Sequence, residues 1–232
     1  RTKSETVVEV DLKSNPKSVK TDRGVYEAQA VIISTGASSI WLGIPGEERL
    51  KTKGVSACAT CDGFFFRGKE VVVVGGGDSA AEESMFLTKF ATKVYLLVRK
   101  GEMRASKIMV ERVRKNEKIE THFNTEAVEV LGQERVEGVR VRNNQTGEER
   151  ALAAGGYFAA IGHQPNTELF AGQLPIDVKG YLTHEPDSSK TAIPGVFVAG
   201  DVADHVYRQA VTAAGTGCMA AIDAERWLAA RE

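Results

Sequence analysis

The sequence lacks any long hydrophobic run, any excess of one charge and a cysteine set large enough for a disulfide scaffold. No apolar stretch approaches the ~20 residues that a membrane-spanning helix requires, so we expect no membrane partner. The formal net charge of −1 provides no basic surface that would attract nucleic acid or anionic lipid. The 3 cysteines, an odd number, argue against a secreted disulfide-stapled fold and favour a reducing compartment, so we expect a cytoplasmic protein.

The length and composition are those of a globular α/β protein. The 232 residues can form two modest domains, and 42% hydrophobic with 26% charged residues is an ordinary balance for a soluble protein. Apolar runs and alternating patterns predict strands at 8–12, around Val19, and at 30–33, 71–74, 94–98, 128–131, 136–141, 157–161 and 196–199. Helix-forming runs lie at 78–90 and 213–230, and a stretch with linker composition lies at 41–48. The order of strand, helix and strand at 71–98 predicts a βαβ unit.

A glycine-rich turn, Gly75-x-Gly77-x-x-Ala80, connects the predicted strand at 71–74 to the helix that follows it. In a nucleotide-binding turn the first glycine allows a tight bend and the second allows a pyrophosphate to approach the backbone. A small residue such as Ala80 lets the helix pack closely, and the phosphates bind at the helix N-terminus. The placement favours a dinucleotide site over the alternative, a tight turn without a ligand.

The residues after the next predicted strand indicate which dinucleotide binds. Proteins that prefer NAD usually place a carboxylate there, which binds the ribose 2′-hydroxyl. This chain instead has Arg99, Lys100 and Arg104, and cations suit a 2′-phosphate. The pattern therefore favours NADPH, and the alternative is a solvated basic turn.

Two cysteines, Cys58 and Cys61, are separated by two residues and precede the βαβ unit in a predicted loop. This spacing allows a disulfide to form and break with little backbone movement. Zinc is the alternative, but a structural zinc site needs four ligands, and Cys218 lies far along the chain, where we interpret it as a small buried residue. Asp62 could exchange a proton with the dithiol, or it could cap the turn before Gly63.

Several motifs together resemble the low-molecular-weight thioredoxin reductase family. The matching residues lie at 58–63, 75–80, 98–100, 103–105, 161–166, 200–202, 207–210 and 215–218, and the resemblance covers essentially the whole chain. It implies an α/β fold of two Rossmann-like three-layer nucleotide-binding domains. The FAD domain, residues 1–38 and 168–232, would be interrupted by an NADPH domain with the redox dithiol, residues 39–167. A homodimer is also implied.

The resemblance implies a role for each matching residue. Electrons would pass from NADPH through FAD to the dithiol and on to thioredoxin, with Cys61 nearest the flavin, Cys58 exchanging with thioredoxin and Asp62 as acid–base. The implied NADPH-binding residues are Gly75, Gly77, Asp78, Ala80, Arg99, Lys100 and Arg104. The implied FAD-binding residues are Thr35, Gly36, Gly200, Asp201, Arg208, Gln209 and Ala210. No metal is implied.

The sequence departs from the family in two places. Val98 and Lys100 stand where some members have a histidine and a second arginine, so charge is kept but a bidentate contact is lost. No G-x-G-x-x-G unit for FAD precedes Ser34, so we expect an N-terminally truncated chain with an incomplete FAD domain and uncovered apolar faces at 31–33 and 196–199. Two alternatives stay open: a reductase of another dithiol acceptor such as a peroxiredoxin, and an inactive NADPH-binding fragment.

Overall fold

The computed structural model describes residues 1–231, and the chain divides into two compact units. One unit joins Arg1–Ser38 to the segment that begins at His163, and the other is the continuous stretch Ser39–Gly162. The boundaries expected from the sequence lie after residues 38 and 167, and which cofactor each unit binds stays a prediction. Within residues 1–231, no helix has both the length and the apolar character needed to cross a membrane.

The elements are short and follow one another closely along the chain. The strands are β1 (Val7–Asp11), β2 (Lys17–Thr21), β3 (Val25–Ala28), β4 (Val31–Ile33), β5 (Ala37–Ser39), β6 (Val55–Ser56), β7 (Glu70–Val74), β8 (Lys93–Val98), β9 (Ile119–Phe123), β10 (Thr125–Leu131), β11 (Gly138–Asn143), β12 (Glu149–Ala153), β13 (Gly156–Ala159), β14 (His163–Pro165) and β15 (Val196–Val198). The α-helices are α1 (Ala59–Asp62), α2 (Asp78–Leu87), α3 (Lys107–Lys115) and α4 (Ala210–Ala229). Single 3₁₀ turns lie at Gly63–Phe66, Glu168–Phe170 and Gly200–Val202.

The unit Ser39–Gly162 is built on a 5-stranded sheet with the order β6–β13–β7–β8–β9, in which neighbouring strands run parallel. The valines of the central strand β7 point alternately to its two faces. Val71 and Val73 pack against the buried side chains of α2 and α3. Val72 and Val74 pack against the antiparallel sheet β10–β11–β12. The unit therefore has three layers, as the sequence predicts for a Rossmann-like domain.

The other unit contains the antiparallel sheet β1–β2–β3 and a parallel pair, β4 with β15. Strand β15 is covered on both sides by residues of this chain. Phe197 packs with Ala220 of α4, and Val198 packs in the cluster that includes residues of β1. The expectation that the faces at 196–199 lack cover is therefore wrong, because helix α4 and the β1 region supply it. On β4, Ile32 stays 42% exposed.

The structure also differs from the sequence prediction in local detail. The dithiol segment is predicted as a loop, but it forms helix α1. Helix α3 and strands β9 and β12 were not predicted, because these segments are short and charged residues interrupt their apolar residues. Helix α4 begins at Ala210. Cys218 on this helix is exposed, so the interpretation of it as a buried small residue is wrong.

Candidate functional site

The dithiol lies at the start of helix α1, in the unit Ser39–Gly162. Cys58 and Cys61 form a disulfide, and their Cα atoms are 5.3 Å apart. Cys58 is the N-cap of the helix, and the N–H of Cys61 donates to Cys58 Sγ at 3.1 Å. A backbone N–H that points at a sulfur favours its thiolate form once the disulfide is reduced. Cys61 is exposed and Cys58 is half-buried, so exposure alone does not select the exchanging thiol.

Asp62 is connected through Ser56 to the backbone of the dithiol segment, and the sequence pattern did not indicate Ser56. The Ser56 hydroxyl donates to Asp62 Oδ2 at 2.6 Å, and the N–H of Cys58 donates to the same hydroxyl oxygen at 3.0 Å. Asp62 makes no side-chain hydrogen bond that caps the following 3₁₀ turn, so the turn-capping alternative does not describe its contacts. The Asp62 carboxylate is half-buried, and the Ser56 hydroxyl joins it to the backbone of Cys58.

Two exposed phenylalanines follow the dithiol. Phe64 is 61% exposed and Phe65 is 70% exposed, although both are large apolar side chains. A cleft of about 1050 Å³ is lined by Phe65 together with Asp62 and Ser56. The dithiol segment therefore lies beside two exposed aromatic side chains and a cleft.

The glycine turn between β7 and α2 has the geometry that a nucleotide-binding turn requires. A Cβ placed on Gly75, whose φ is +150°, would lie 2.5 Å from the carbonyl oxygen of Ala160 and 2.7 Å from Ala80 Cβ. Only glycine fits there, and a larger residue in place of Ala80 would overlap the turn. Gly77 is the N-cap of α2, and a Cβ there would meet nothing within 4 Å. The space beside Gly77 at the helix N-terminus is open, as an approaching phosphate requires.

Asp78 has an internal partner. Its Oδ1 atom accepts the N–H of Ser106 at 2.9 Å, and this backbone hydrogen bond lowers the pKa of the Asp78 carboxyl. The N–H of Arg104 donates to the carbonyl oxygen of Gly76 at 2.6 Å. These bonds hold the loop that contains Arg104 against the glycine turn.

The structure brings the predicted cations and the glycine turn to one cleft of about 770 Å³. Gly75, Arg99, Lys100 and Arg104 line it, whereas Gly77, Asp78 and Ala80 do not. The three cations are exposed, and none of them forms an ion pair with another residue in the described part of the chain. Sequence analysis missed Glu126 and Arg142, which also line the cleft. No periodic signal identifies them, because they reach the cleft from the separate antiparallel sheet.

In the other unit, Asp201 carries a buried acceptor atom without a partner. Its Oδ1 atom is buried and makes no hydrogen bond to any residue in the described range 1–231. Burial, and next the negative charge of Asp204, raise the pKa of Asp201 above its ordinary value. The adjacent Gly200 has a φ of +75°, and its N–H donates to Thr216 Oγ1 of α4 at 2.9 Å. A buried oxygen without a donor fits the hydroxyl group of a bound flavin, which would satisfy it.

The segment that leads into α4 is organised by Asp204. Its carboxylate accepts the N–H of Arg208 at 3.0 Å, and Arg208 has a positive φ of 48°. The Arg208 guanidinium donates to the carbonyl oxygen of His205. Gln209 caps α4 in a capping box, and Ala210 is the first residue of that helix. Hydrogen bonds therefore fix the backbone at residues 208–210, which belong to the same unit as Asp201.

The predicted residues Thr35 and Gly36 follow strand β4. Thr35 Oγ1 donates to the carbonyl oxygen of Asn166 at 2.7 Å, and Asn166 Nδ2 donates back to the Thr35 carbonyl at 2.8 Å. The hydroxyl of Thr35 is thus used within the fold. Gly36 has a φ of +71°, and a Cβ there would meet nothing within 4 Å, so its backbone faces open space.

Comparison with known families shows what this combination of sites belongs to. A family profile described as pyridine nucleotide-disulphide oxidoreductase matches residues 1–217. The chain belongs to this family. The thioredoxin reductases within this family are FAD- and NADPH-dependent enzymes.

Relatives of this pyridine nucleotide-disulphide oxidoreductase carry a narrower name. A thioredoxin reductase of Mycolicibacterium smegmatis is 53% identical over 228 residues, which are 98% of this chain and 73% of the relative. A bifunctional thioredoxin reductase/thioredoxin of Mycobacterium leprae is 52% identical over 98% of this chain and 50% of its own length. The solved thioredoxin reductase of Giardia duodenalis has a TM-score of 0.88 and 45% identity, covering 97% of this chain and 74% of that one.

Proposed function

We propose that the chain reduces the disulfide of thioredoxin, passing electrons from NADPH through FAD to the Cys58–Cys61 pair. The observation that carries this proposal is the disulfide itself, which lies with a hydrogen-bonded Asp62 on the same unit as the glycine turn and its unpaired cations. The relatives named above are thioredoxin reductases, and none of them is named for a peroxiredoxin. The intact disulfide, with a hydrogen-bonded Asp62 beside it, argues against the other open alternative, an inactive fragment.

Bound FAD would supply the redox centre that accepts a hydride from NADPH and returns two electrons to the dithiol. In the proposal Asp201 Oδ1 accepts a hydrogen bond from a flavin hydroxyl, which removes the cost of burying this oxygen without a donor. Because burial already raises the pKa of Asp201, that donor also stabilises the charged carboxylate. The remaining proposed FAD contacts are the backbone and side chains of Thr35, Gly36, Gly200, Arg208, Gln209 and Ala210.

NADPH in this proposal lies along the cleft of the Ser39–Gly162 unit. Its pyrophosphate approaches Gly75 and Gly77 at the N-terminus of α2, where Ala80 permits close packing and Asp78 fixes the neighbouring loop. Cations hold its 2′-phosphate. The proposed cations are Arg99, Lys100 and Arg104.

The reduced dithiol performs the exchange with thioredoxin. The Cys58 thiolate, favoured by the N–H of Cys61, attacks one sulfur of the thioredoxin disulfide and forms a mixed disulfide. Cys61 then attacks Cys58 Sγ, which restores the Cys58–Cys61 disulfide and releases thioredoxin as a dithiol. The two protons that the enzyme thiols lose pass to the two thioredoxin sulfurs, and Asp62 is the proposed acid–base for this transfer.

The surface of the chain offers places for the two expected protein partners. Exposed Phe64 and Phe65 beside the dithiol provide the apolar contact that thioredoxin needs during exchange. On α4, Val211 (83% exposed), Met219 (42%) and Ile222 (42%) form an exposed apolar stripe, which supports the expected homodimer. The reducing chemistry of the dithiol supports a cytoplasmic location.

The test uses the FAD-loaded protein, to which NADPH and thioredoxin are added anaerobically. We expect the flavin absorbance to bleach on addition of NADPH and thioredoxin to be reduced catalytically. Cys58→Ser and Cys61→Ser should each abolish thioredoxin reduction and leave NADPH binding unchanged. Cys218→Ser is the matched control, because it removes the exposed cysteine outside the dithiol and should keep full activity. Thioredoxin reduction by the Cys61→Ser variant would falsify the assignment of the dithiol.

A further inference from the structure

We propose that the ion pair between Glu126 and Arg142 sets how tightly the cleft binds the 2′-phosphate of NADPH. Arg142 is a further cation for this phosphate, and Glu126 partly neutralises the charge of Arg142. The inference rests on the proposed use of NADPH and extends it to two side chains of the antiparallel sheet. Replacing the Glu126 carboxylate with an amide should therefore strengthen nucleotide binding.

The position of the pair supports this role. Both side chains line the cleft of about 770 Å³ that the glycine turn and its cations also line. Two hydrogen bonds fasten their strands to the cationic turn. The N–H of Asn124, two positions before the glutamate, donates to the carbonyl oxygen of Lys100 at 3.1 Å. Asn144 Nδ2, two positions after the arginine, donates to the carbonyl oxygen of Arg99 at 2.7 Å. The pair therefore stands next to the turn that is expected to contact the 2′-phosphate.

The charges of the cleft support the role of Glu126, which is to neutralise Arg142. Glu126 Oε1 accepts from Arg142 Nη2 at 2.7 Å and from its Nε at 3.2 Å. Arg142 Nη1 also lies 3.9 Å from Glu149 Oε1. The three cations of the turn, in contrast, have no ion pair within the described residues. Arg142 is thus the cation of this cleft whose charge is already neutralised.

A bound 2′-phosphate, which carries a charge near −2, would be repelled by Glu126 and attracted by Arg142. The side chains of the pair are 30% and 46% exposed, so solvent and salt weaken both effects without removing them. In a surface cleft, adding or removing one unit charge close to the phosphate changes its affinity by roughly three- to tenfold. A nucleotide without the 2′-phosphate lacks this charge at the turn, so its affinity should hardly depend on the pair.

The experiment measures binding of two probes to the full chain by titration calorimetry: 2′,5′-ADP, which carries the 2′-phosphate, and 5′-AMP, which does not. Glu126→Gln should tighten 2′,5′-ADP binding by roughly three- to tenfold, and Arg142→Gln should weaken it by a similar factor. The double variant should return close to the wild-type affinity. Both single effects should shrink as salt is raised, and 5′-AMP affinity should stay within about twofold throughout.

The same two strands contain a matched control. Arg140 Nε lies 3.0 Å from Glu129 Oε2, and these side chains are 45% and 38% exposed, yet neither lines the cleft. Glu129→Gln and Arg140→Gln therefore change the same charges in the same kind of pair and should leave 2′,5′-ADP affinity unchanged. Arg99→Gln tests the proposed nucleotide site itself and should weaken 2′,5′-ADP binding.

The outcomes separate the two proposals. If Arg99→Gln weakens 2′,5′-ADP binding while Glu126→Gln behaves like Glu129→Gln, the NADPH site stands and the role of the ion pair is wrong. Equal changes for 2′,5′-ADP and 5′-AMP in the Glu126 and Arg142 variants would also overturn it. If Arg99→Gln has no effect on either probe, the proposed NADPH site fails, and the inference fails with it.

Discussion

Alanine substitution at the two glycines of the nucleotide turn should separate folding from binding. At Gly75, a new Cβ would lie 2.5 Å from the carbonyl oxygen of Ala160 and 2.7 Å from Ala80 Cβ. The backbone there has a φ of +150°, which a residue with a side chain adopts only under strain. At Gly77, the φ is −96° and a Cβ would meet nothing within 4 Å. The first change therefore disturbs the fold, and the second places a methyl group only in open space, where the proposed nucleotide would bind.

The expected magnitudes follow from these contacts. Gly75→Ala combines backbone strain with overpacking, so the free energy of unfolding should fall by about 2–4 kcal/mol. Gly77→Ala should lower it by less than about 1 kcal/mol, the usual effect of alanine at a helix N-cap. Its methyl group would, however, prevent the pyrophosphate from reaching the backbone N–H groups. Losing one or two hydrogen bonds to a charged group weakens NADP⁺ binding by roughly ten- to a hundredfold.

The assay pairs urea unfolding of the nucleotide-free chain, followed by circular dichroism, with calorimetric titration of NADP⁺. Gly75→Ala should unfold at clearly lower urea concentration than the wild type, whereas Gly77→Ala should unfold close to it. A Gly75→Ala variant as stable as the wild type would contradict the expected strain. A Gly77→Ala variant with undiminished affinity for NADP⁺ would contradict the proposed nucleotide contact.

Four further predictions concern the other sites. Burial raises the pKa of Asp201, so the charged carboxylate destabilises the FAD-free fold at neutral pH. Asp201→Asn should therefore raise the free energy of unfolding by up to about 1 kcal/mol at neutral pH. In thermal melts this gain should vanish as the pH falls below that pKa and the wild-type carboxyl is protonated. Burial acts to raise the pKa of Asp204 as well, but hydrogen bonds from three backbone N–H groups lower it overall. Asp204→Asn should therefore lower the free energy of unfolding by about 1–2 kcal/mol at neutral pH. The difference should disappear in acid, where the wild-type carboxyl is protonated. Phe65→Ser should raise the KM for thioredoxin roughly tenfold and leave the KM for NADPH unchanged in steady-state assays, since an exposed ring that becomes buried contributes about 1.5–3 kcal/mol. Val211→Lys should convert the expected dimer to a monomer in light scattering, and an unchanged mass would refute the α4 stripe as the interface.

The parts of the structure that the sequence predicts are those fixed by local pattern. The run Val71–Val74 predicts a strand buried on both faces, and it is the central strand of the parallel sheet. The spacing of Gly75, Gly77 and Ala80 predicts a tight strand-to-helix turn, and the close approach of Ala160 and Ala80 to Gly75 explains why. The sequence also predicts the exposed cations after β8, because they directly follow the second strand of the βαβ unit.

The parts that the sequence does not predict depend on pairings between distant residues. A β-bulge between Ala127 and Glu129 shifts the register of β10 against β11. With the bulge, Glu126 lies opposite Arg142 and Glu129 lies opposite Arg140, an arrangement that a regular count of residues would miss. The hydrogen bond from Ser56 to Asp62 depends likewise on how helix α1 returns toward β6. No periodicity in the sequence encodes either contact.

The two ends of the inserted unit meet. The N–H of Ile40 donates to the carbonyl oxygen of Gly162 at 3.0 Å, so the chain enters and leaves the Ser39–Gly162 unit at adjacent points. An insert whose ends touch leaves only a short gap in its host, and it can be removed or replaced with little loss of loop entropy. The cleft at the glycine turn and the dithiol therefore belong to one continuous segment, which can be exchanged as a unit. A related chain could acquire a different electron donor or acceptor by replacing that segment, with no change to the segments on either side.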